Sequence, residues 1–252
     1  AVMTFSIPEE TAATRKIEQT PEGLTRVSFR SESTAMPLEF GPVDPDVWVL
    51  RVEGADGEML ASVVNYACHA VSGSACPEWF YSISADYPGE TVRAVQQVEG
   101  GLCLFTSGTA GDIVPLQRGR QARFQVGRAL AGEVIRRLQF LPASGEIDLE
   151  AVSDRVRLPV KQQTADDRIS DTGSKLGYVT TEIQALRLGD LYLLALPGEV
   201  LVEIGLEIKR KAALEQLLIV TLSNDTVGYI CHGQAYEEGG YEPMSGTNLA
   251  RG

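Results

Sequence analysis

Apolar and polar positions alternate along two neighbouring stretches of the chain, residues 48–53 and 58–66, and this pattern is typical of β-strands. Residues 54–57, Gly-Ala-Asp-Gly, separate the two stretches and predict a hairpin turn. The second stretch becomes an apolar, β-branched run that ends at Tyr66, and small residues and then His69 follow it. The sequence therefore predicts a hairpin whose second strand places a histidine just beyond its carboxyl end.

Helices and further strands alternate along the rest of the chain. Helical spacing of apolar residues predicts helices over residues 88–97, 122–140 and 200–213. Short apolar or alternating runs predict strands at residues 101–105, 147–158, 180–188, 191–196 and 216–222. The predicted fold is α/β, a mixed β-sheet core flanked by helices, in which a site gathers at the carboxyl ends of strands.

Three regions have weaker patterns. Residues 1–46 are polar and turn-rich, with one short predicted strand at 27–30. Residues 161–175 are polar and are expected to form an exposed loop or a short helix. Residues 224–252 are rich in Gly, Tyr and acidic residues, and no element is predicted there.

Charge and cysteine content restrict the partners. Asp and Glu number 34 against 22 Lys and Arg, a net charge of −12, which argues against nucleic acid because phosphate binding needs clustered basic residues. No apolar run reaches about 18 residues, so no transmembrane helix is expected. The four cysteines form no Cys-x-x-Cys pair, which excludes a zinc ribbon. Two alternatives remain for Cys68 and Cys76: a disulfide between them if the protein is exported, or two reduced thiols.

His69 is one of only two histidines in the 252 residues. A histidine at the end of a buried strand presents a ring nitrogen to a cleft with little side-chain freedom left to lose, which suits a metal ligand or a general base. The alternative is a histidine with a purely structural role in the core or at the surface.

A glycine-rich stretch, residues 106–115, also allows two interpretations. A strand that opens into such a loop either presents backbone N–H groups to an anion or oxyanion, or forms a tight structural turn. The Gly-Lys-Ser/Thr ending of a phosphate loop is absent. Asp112 in this loop is predicted to hold the turn by hydrogen bonds, and Asp86 is predicted to cap the helix at 88–97.

Five segments, taken in order, resemble the N-terminal catalytic domain of neutral, non-lysosomal ceramidases and their bacterial relatives. Together they span residues 65–242, most of the chain. The segments are residues 65–69 (NYACH), 83–89 (ISADYPG), 108–115 (GTAGDIVP), 196–199 (LPGE) and 229–242 (YICHGQAYEEGGYE).

The resemblance implies a zinc amidohydrolase that cleaves the N-acyl bond of ceramide, with zinc held by two histidines, a glutamate and a tyrosine. His69 matches the second of those histidines, Glu199 the glutamate and Tyr229 the tyrosine. Tyr241 matches a second active-site tyrosine that polarises the scissile carbonyl. With Tyr241, the loop residues Gly111 and Asp112 complete the predicted catalytic set. Imidazole and carboxylate are ordinary zinc donors, and the metal would activate a bound water.

Two positions depart from the family pattern. No histidine precedes His69, and His232 does not match the first zinc histidine. That ligand is therefore expected in a missing N-terminal segment, or the metal site is incomplete. Val114 stands where the family has a catalytic serine, and valine has no group that attacks or donates. The expected nucleophile is metal-bound water, and smaller amides or esters are expected to be better substrates than ceramide.

The sequence thus predicts one ceramidase-like hydrolase domain, residues 1–252, that lacks an N-terminal segment and the C-terminal end. Its expected function is zinc-dependent hydrolysis of amide or ester bonds in a small-molecule or lipid-like substrate. The alternative is a non-catalytic binding or structural protein that keeps the fold. The resemblance favours a bacterial protein of lipid metabolism, secreted or periplasmic rather than cytoplasmic, and leaves the substrate and the oligomeric state open.

Overall fold

A computed structural model of the chain describes residues 2–6, 12–14, 16–19, 25–28, 41–73, 81–116, 118–161 and 177–251. The strands are β1 Val2–Ser6, β2 Ala12–Thr14, β3 Lys16–Gln19, β4 Thr25–Ser28, β5 Asp46–Glu53, β6 Met59–Tyr66, β7 Leu102–Ser107, β8 Ile113–Pro115, β9 Leu149–Pro159, β10 Tyr178–Leu188, β11 Leu191–Ala195, β12 Glu199–Val200, β13 Leu217–Val220 and β14 Tyr229–Ile230. The helices are α1 Asp86–Glu99, α2 Ala122–Leu138, α3 Val202–Ala212, α4 Gly233–Glu238 and α5 Tyr241–Met244.

The first sheet has the strand order β1-β5-β6-β7. β1, β5 and β6 are antiparallel neighbours, whereas β6 and β7 run parallel because α1 carries the chain from one to the other. The predicted hairpin turn is confirmed: Gly54 N–H donates to the Glu58 carbonyl and Gly57 N–H to the Gly54 carbonyl, both over 2.9 Å.

Helices α1 and α2 cover one face of this sheet. α2 buries a stripe at four-residue spacing, as its apolar pattern predicts: Val126, Leu130, Val134 and Leu138. The stripe joins a core formed with alternate residues of β5 and β6, among them Val47, Val49, Val64 and Tyr66. Within the described part of the chain, no helix is long and apolar enough to cross a membrane.

The second sheet has the order β13-β11-β10-β9, with β11 and β13 parallel and the other pairs antiparallel. One face packs against α3, where Leu217 and Ile219 meet Ile204 and Ile208. The other face packs on the first sheet through Trp48, Leu191 and Leu218. The layers are therefore helix, sheet, sheet and helix, and the parallel strands of both sheets end near one another.

The predicted α/β class is confirmed, with element ends that differ by a few residues. The expectation for residues 1–46 is wrong in part, because β1 to β4 lie there in place of one strand. Residues 224–251 contain β14, α4 and α5, which are two to six residues long and too short to show a period. The loop predicted at 161–175 lies, apart from Lys161, outside the described residues. The assignment of residues 1–252 to one domain stays a prediction.

Candidate metal and catalytic site

His69 lies three residues beyond β6, and the backbone fixes its ring. Its amide N–H donates to the carbonyl oxygen of Ile113 over 2.9 Å, and its ring nitrogen Nδ1 lies 3.0 Å from the same oxygen. Because a carbonyl oxygen only accepts, Nδ1 carries a proton and donates it. In the neutral ring the lone pair is therefore on Nε2, the nitrogen turned to the other site residues.

A short pair of strands brings Glu199 and Tyr229 to this nitrogen. β12 and β14 form a parallel pair in which Glu199 and Tyr229 are direct partners. The two segments meet closely because Gly198 has no side chain: a Cβ atom there would lie 2.6 Å from the Gly228 carbonyl oxygen. Glu199 Oε2 lies 2.9 Å, and the Tyr229 hydroxyl 3.4 Å, from His69 Nε2. The structure therefore confirms the predicted convergence of these three side chains, whose role as metal ligands stays a prediction.

The three groups alter one another's protonation. The hydrogen bond from His69 holds the pKa of the Glu199 carboxyl below its usual value, against burial, and a hydrogen bond from Tyr229 adds to this. Burial alone lowers the pKa of His69, but the hydrogen bond and charge of Glu199 outweigh burial and raise it. Burial, then Glu199, raises the pKa of the Tyr229 phenol far above its usual value. The metal-free site therefore favours a charged imidazolium–carboxylate pair beside a protonated phenol.

The glycine-rich loop is buried from residue 108 to residue 115 and contacts the segments that carry His69 and Glu199. The amides of Gly108, Gly111 and Ile113 all donate to backbone carbonyl oxygens. Of the two alternatives for this loop, the structural role therefore holds for these three amides, because they are already paired within the protein.

Gly111 and Asp112 connect the loop to the segment that carries Glu199. Oδ1 of Asp112 accepts from the amide of Val202 over 2.8 Å at the start of α3, and the Gly111 amide donates to the Val200 carbonyl over 2.8 Å. Asp112 is predicted to hold the turn, and the structure also gives its carboxylate a partner 90 residues away, the Val202 amide. These contacts position Glu199, and a direct catalytic role of Gly111 and Asp112 stays a prediction.

Tyr241, the second predicted tyrosine, begins α5 and packs edge-to-face on Tyr229, with 5.7 Å between the ring centroids. Its side chain is 59% exposed, so the phenol lies on the solvent side of the site. Nζ of Lys161 donates to the carbonyl oxygens of Pro243 and Thr247 over 2.6 and 2.8 Å and so holds the end of α5 in place.

Three other candidates have structural contacts of their own. Val114 is 7% exposed and buried in β8, which pairs with β2. His232 caps α4 by accepting from the Ala235 amide, and it pairs with Glu203. Cys68 is a buried free thiol, and burial raises its pKa.

Three supporting residues are not predicted from the sequence. The prediction that Asp86 caps α1 is wrong, because Asp86 is the first residue of the helix and no side chain caps it at Ala85. The Asp86 carboxylate instead accepts from the loop after His69. Tyr87 hydrogen-bonds the residue before His69, and Lys161 holds α5. The only signal for the first two is the ISADYPG segment itself, and Lys161 has no signal.

Solved structures define the class: the chain has the fold of the ceramidases. The neutral ceramidase from Pseudomonas aeruginosa superposes with a TM-score of 0.63 and 18% identity, over 83% of this chain and 44% of that one. A ceramidase complexed with C2 gives a TM-score of 0.66 and 13% identity, over 99% and 50% of the two chains. No family model and no curated protein matches the sequence.

These identities establish the fold alone. The chain spans about half the length of the two ceramidases that it resembles. The substrate and the metal must therefore be argued from the residues of this chain.

Proposed function

We propose that this chain hydrolyses an amide or ester bond in a small-molecule or lipid-like substrate, with a zinc ion held by His69, Glu199 and Tyr229. The observation that carries the proposal is the convergence of three donor side chains that are up to 160 residues apart. Glu199 and Tyr229 both lie within 3.4 Å of Nε2 of His69. The ceramidase-like fold supports an amide as the scissile bond.

The residues present fit zinc. Imidazole nitrogen and carboxylate oxygen bind zinc at about 2.0–2.2 Å, so two ligands of one tetrahedral ion lie about 3.3 Å apart. The distances from His69 Nε2, which are 2.9 Å to Glu199 Oε2 and 3.4 Å to the Tyr229 hydroxyl, lie on either side of this value. The bond from Nδ1 of His69 to a backbone carbonyl is the usual outer contact of a ligating histidine. Bound zinc supplies a Lewis acid for a carbonyl oxygen and lowers the pKa of water.

The chain's own residues divide the remaining roles. The lowered pKa of Glu199 keeps its carboxylate ionised, as a cation ligand requires. The phenol of Tyr241, which is exposed and packs on Tyr229, would donate a hydrogen bond to the scissile carbonyl. Val114 is buried and has no hydroxyl, so water is the expected attacking group and no acyl-enzyme forms.

A second candidate function is a binding protein that keeps the fold without catalysis. Within the ranges that the structure describes, no third His, Cys, Asp or Glu joins His69 and Glu199 in a group able to hold a metal ion. A protein of this kind would bind amphiphilic amides without turnover and would bind zinc weakly or not at all.

Metal analysis combined with an assay of N-acyl amide hydrolysis tests the proposal. Purified protein is expected to hold about one zinc per chain and to lose hydrolysis with a chelator. Glu199→Gln is expected to lose most of the zinc while the protein stays folded, because it removes a ligand charge and no core volume. Glu203→Gln, an exposed carboxylate in the next turn, is the matched control. A wild type without zinc, or full zinc in Glu199→Gln, would contradict the zinc assignment.

Ceramide and short-chain amides are compared in the same assay. The absence of a hydroxyl at position 114 predicts no acyl group on any serine of the loop during turnover. Rapid ceramide turnover with a trapped acyl-serine would exclude water as the attacking group. Binding of these amides without turnover, by protein that holds little or no zinc, would favour the second candidate.

A further inference from the structure

The residue before His69 is held by a tyrosine of α1. The hydroxyl of Tyr87 donates to the carbonyl oxygen of Cys68 over 2.6 Å. Tyr87 is fully buried, and its ring packs edge-to-face against Tyr66 and Phe105, at 6.4 and 5.8 Å between centroids. Tyr66 ends β6 and Phe105 belongs to β7, so the hydroxyl is fixed relative to the strand that delivers the histidine.

The residues after His69 are held by the neighbouring aspartate. The Asp86 carboxylate accepts from the amides of Ser72 and Gly73 over 3.0 and 2.7 Å, and also from the Ser72 hydroxyl. The Tyr87 amide donates to the same carboxylate over 2.7 Å. These donors satisfy a carboxylate that is only 8% exposed.

Asp86 adopts a backbone conformation that aspartate rarely takes. Its φ is +50°, in the left-handed region that residues with a Cβ disfavour. Such a conformation persists where surrounding contacts over-determine it, and residues of this kind cluster at functional sites. Here the surrounding contacts are the bonds from Asp86 to the loop after His69.

Small displacements of this loop matter for the imidazole. The bond of 2.9 Å between Nε2 and Glu199 orients one side of the ring, and the bond of 3.0 Å from Nδ1 to the Ile113 carbonyl orients the other. A shift of the His69 backbone by about 0.5 Å would stretch the bond to Ile113 to the limit of a hydrogen bond. The ring therefore keeps its direction only while the chain before and after His69 stays in place.

We propose that Asp86 and Tyr87 are positioning residues of the candidate site, which set the direction of the His69 imidazole by fixing the backbone on both sides of it. The consequence for zinc affinity rests on the proposed function. The orientation of the ring does not, because it is measurable in metal-free protein.

Four variants separate positioning from stability. Tyr87→Phe removes one hydroxyl, and Asp86→Gly removes the carboxylate while tolerating a φ of +50°. Asp86→Asn is the conservative variant, which keeps one acceptor oxygen but turns an amide group toward the Gly73 N–H. Val95→Ala is the control, since Val95 is fully buried in the core on the same helix, about two and a half turns beyond Asp86.

The first measurement is hydrogen exchange of the His69 Nδ1–H by NMR in metal-free protein, and a His232→Asn background leaves a single histidine in the spectrum. Exchange is expected to be at least about tenfold faster in Asp86→Gly and Tyr87→Phe, with Asp86→Asn intermediate. Val95→Ala, at a similar loss of Tm, is expected to match wild type. Zinc affinity is expected to fall about 10- to 100-fold in the same variants and to stay unchanged in Val95→Ala.

Exchange in the Asp86 and Tyr87 variants that equals the Val95→Ala value at matched Tm would overturn the positioning role. If Asp86→Gly does not fold, Asp86→Asn and Tyr87→Phe decide the question. A wild type that shows the protected ring proton but binds no zinc would remove the proposed function and leave the positioning role in place.

Discussion

Replacement of Gly111 by alanine tests the contact between the glycine-rich loop and the Glu199 segment. A Cβ atom at position 111 would lie 2.8 Å from the carbonyl carbon of Val200. It would also lie 2.9 Å from the Glu199 carbonyl oxygen and from the Leu201 amide nitrogen. All three are backbone atoms, so no side-chain rotation relieves the overlap and the segment itself must move.

The expected loss of stability follows from two effects. Overpacking of a buried site costs about 1–3 kcal/mol. The hydrogen bond from the Gly111 amide to the Val200 carbonyl, 2.8 Å long, would be strained or broken, and an unpaired buried group costs about 1–3 kcal/mol. We therefore expect Gly111→Ala to lower the free energy of unfolding by about 2–6 kcal/mol, a large part of a typical total of about 5–15 kcal/mol.

Urea unfolding of metal-free protein measures this loss, and Gly132→Ala is the control. Gly132 lies in α2, where a Cβ atom meets nothing within 4 Å, so alanine is expected to stabilise the helix by about 0.5–1 kcal/mol. Zinc affinity of Gly111→Ala is expected to fall as well, because the displaced backbone carries Glu199. An unfolding free energy of Gly111→Ala within about 0.5 kcal/mol of wild type, together with a stabilised Gly132→Ala, would refute the reasoning.

Two further predictions concern pH and packing. In metal-free protein the pKa of Glu199 is lowered from 4.5, so its stabilising effect is complete above pH 4.5 and is lost as pH falls through the folded value. The pKa of His69 is raised from 6.5, so its effect is complete below pH 6.5 and is lost as pH rises through the folded value. The Tm advantage of wild type over Glu199→Gln is therefore expected to peak between pH 4.5 and 6.5, and an advantage independent of pH would contradict the ion pair. Gly205→Ala would bring a Cβ atom within 2.1 Å of Thr109 Oγ1 and 2.6 Å of its Cγ2, so urea unfolding is expected to show a loss of about 1–3 kcal/mol. Thr109→Ala removes both atoms and leaves only the Thr109 Cβ, at 2.8 Å, so Gly205→Ala is expected to cost less in that background. Equal losses from Gly205→Ala in wild type and in Thr109→Ala would contradict the clash.

Long, periodic elements are the part of the fold that the sequence predicts well. The β5–β6 hairpin follows from two alternating runs around a glycine turn, and α2 follows from an apolar stripe of about five turns. His69 and Glu199 are found because each stands at the end of such an element, within a short segment of distinctive composition.

The pairing of β12 with β14 cannot be predicted in the same way. Two-residue strands have no period, and nothing in the sequence specifies that Glu199 stands opposite Tyr229 rather than one residue away. The roles of Gly111 and Asp86 are hidden for a related reason. Both residues act on distant backbone groups, and backbone groups are the same whatever the sequence around them.

The carbonyl of Ile113, which receives both the amide and the ring proton of His69, makes the site robust to substitution. A side-chain carboxylate opposite Nδ1 would be lost through one point mutation, whereas a backbone carbonyl is present whichever residue stands at position 113. The histidine is sensitive instead to the length of the loop. A deletion of one residue between positions 108 and 113 would shift the carbonyl by about 3.8 Å and leave Nδ1 without its acceptor. The position of this histidine therefore tolerates changes in the composition of the loop better than changes in its length.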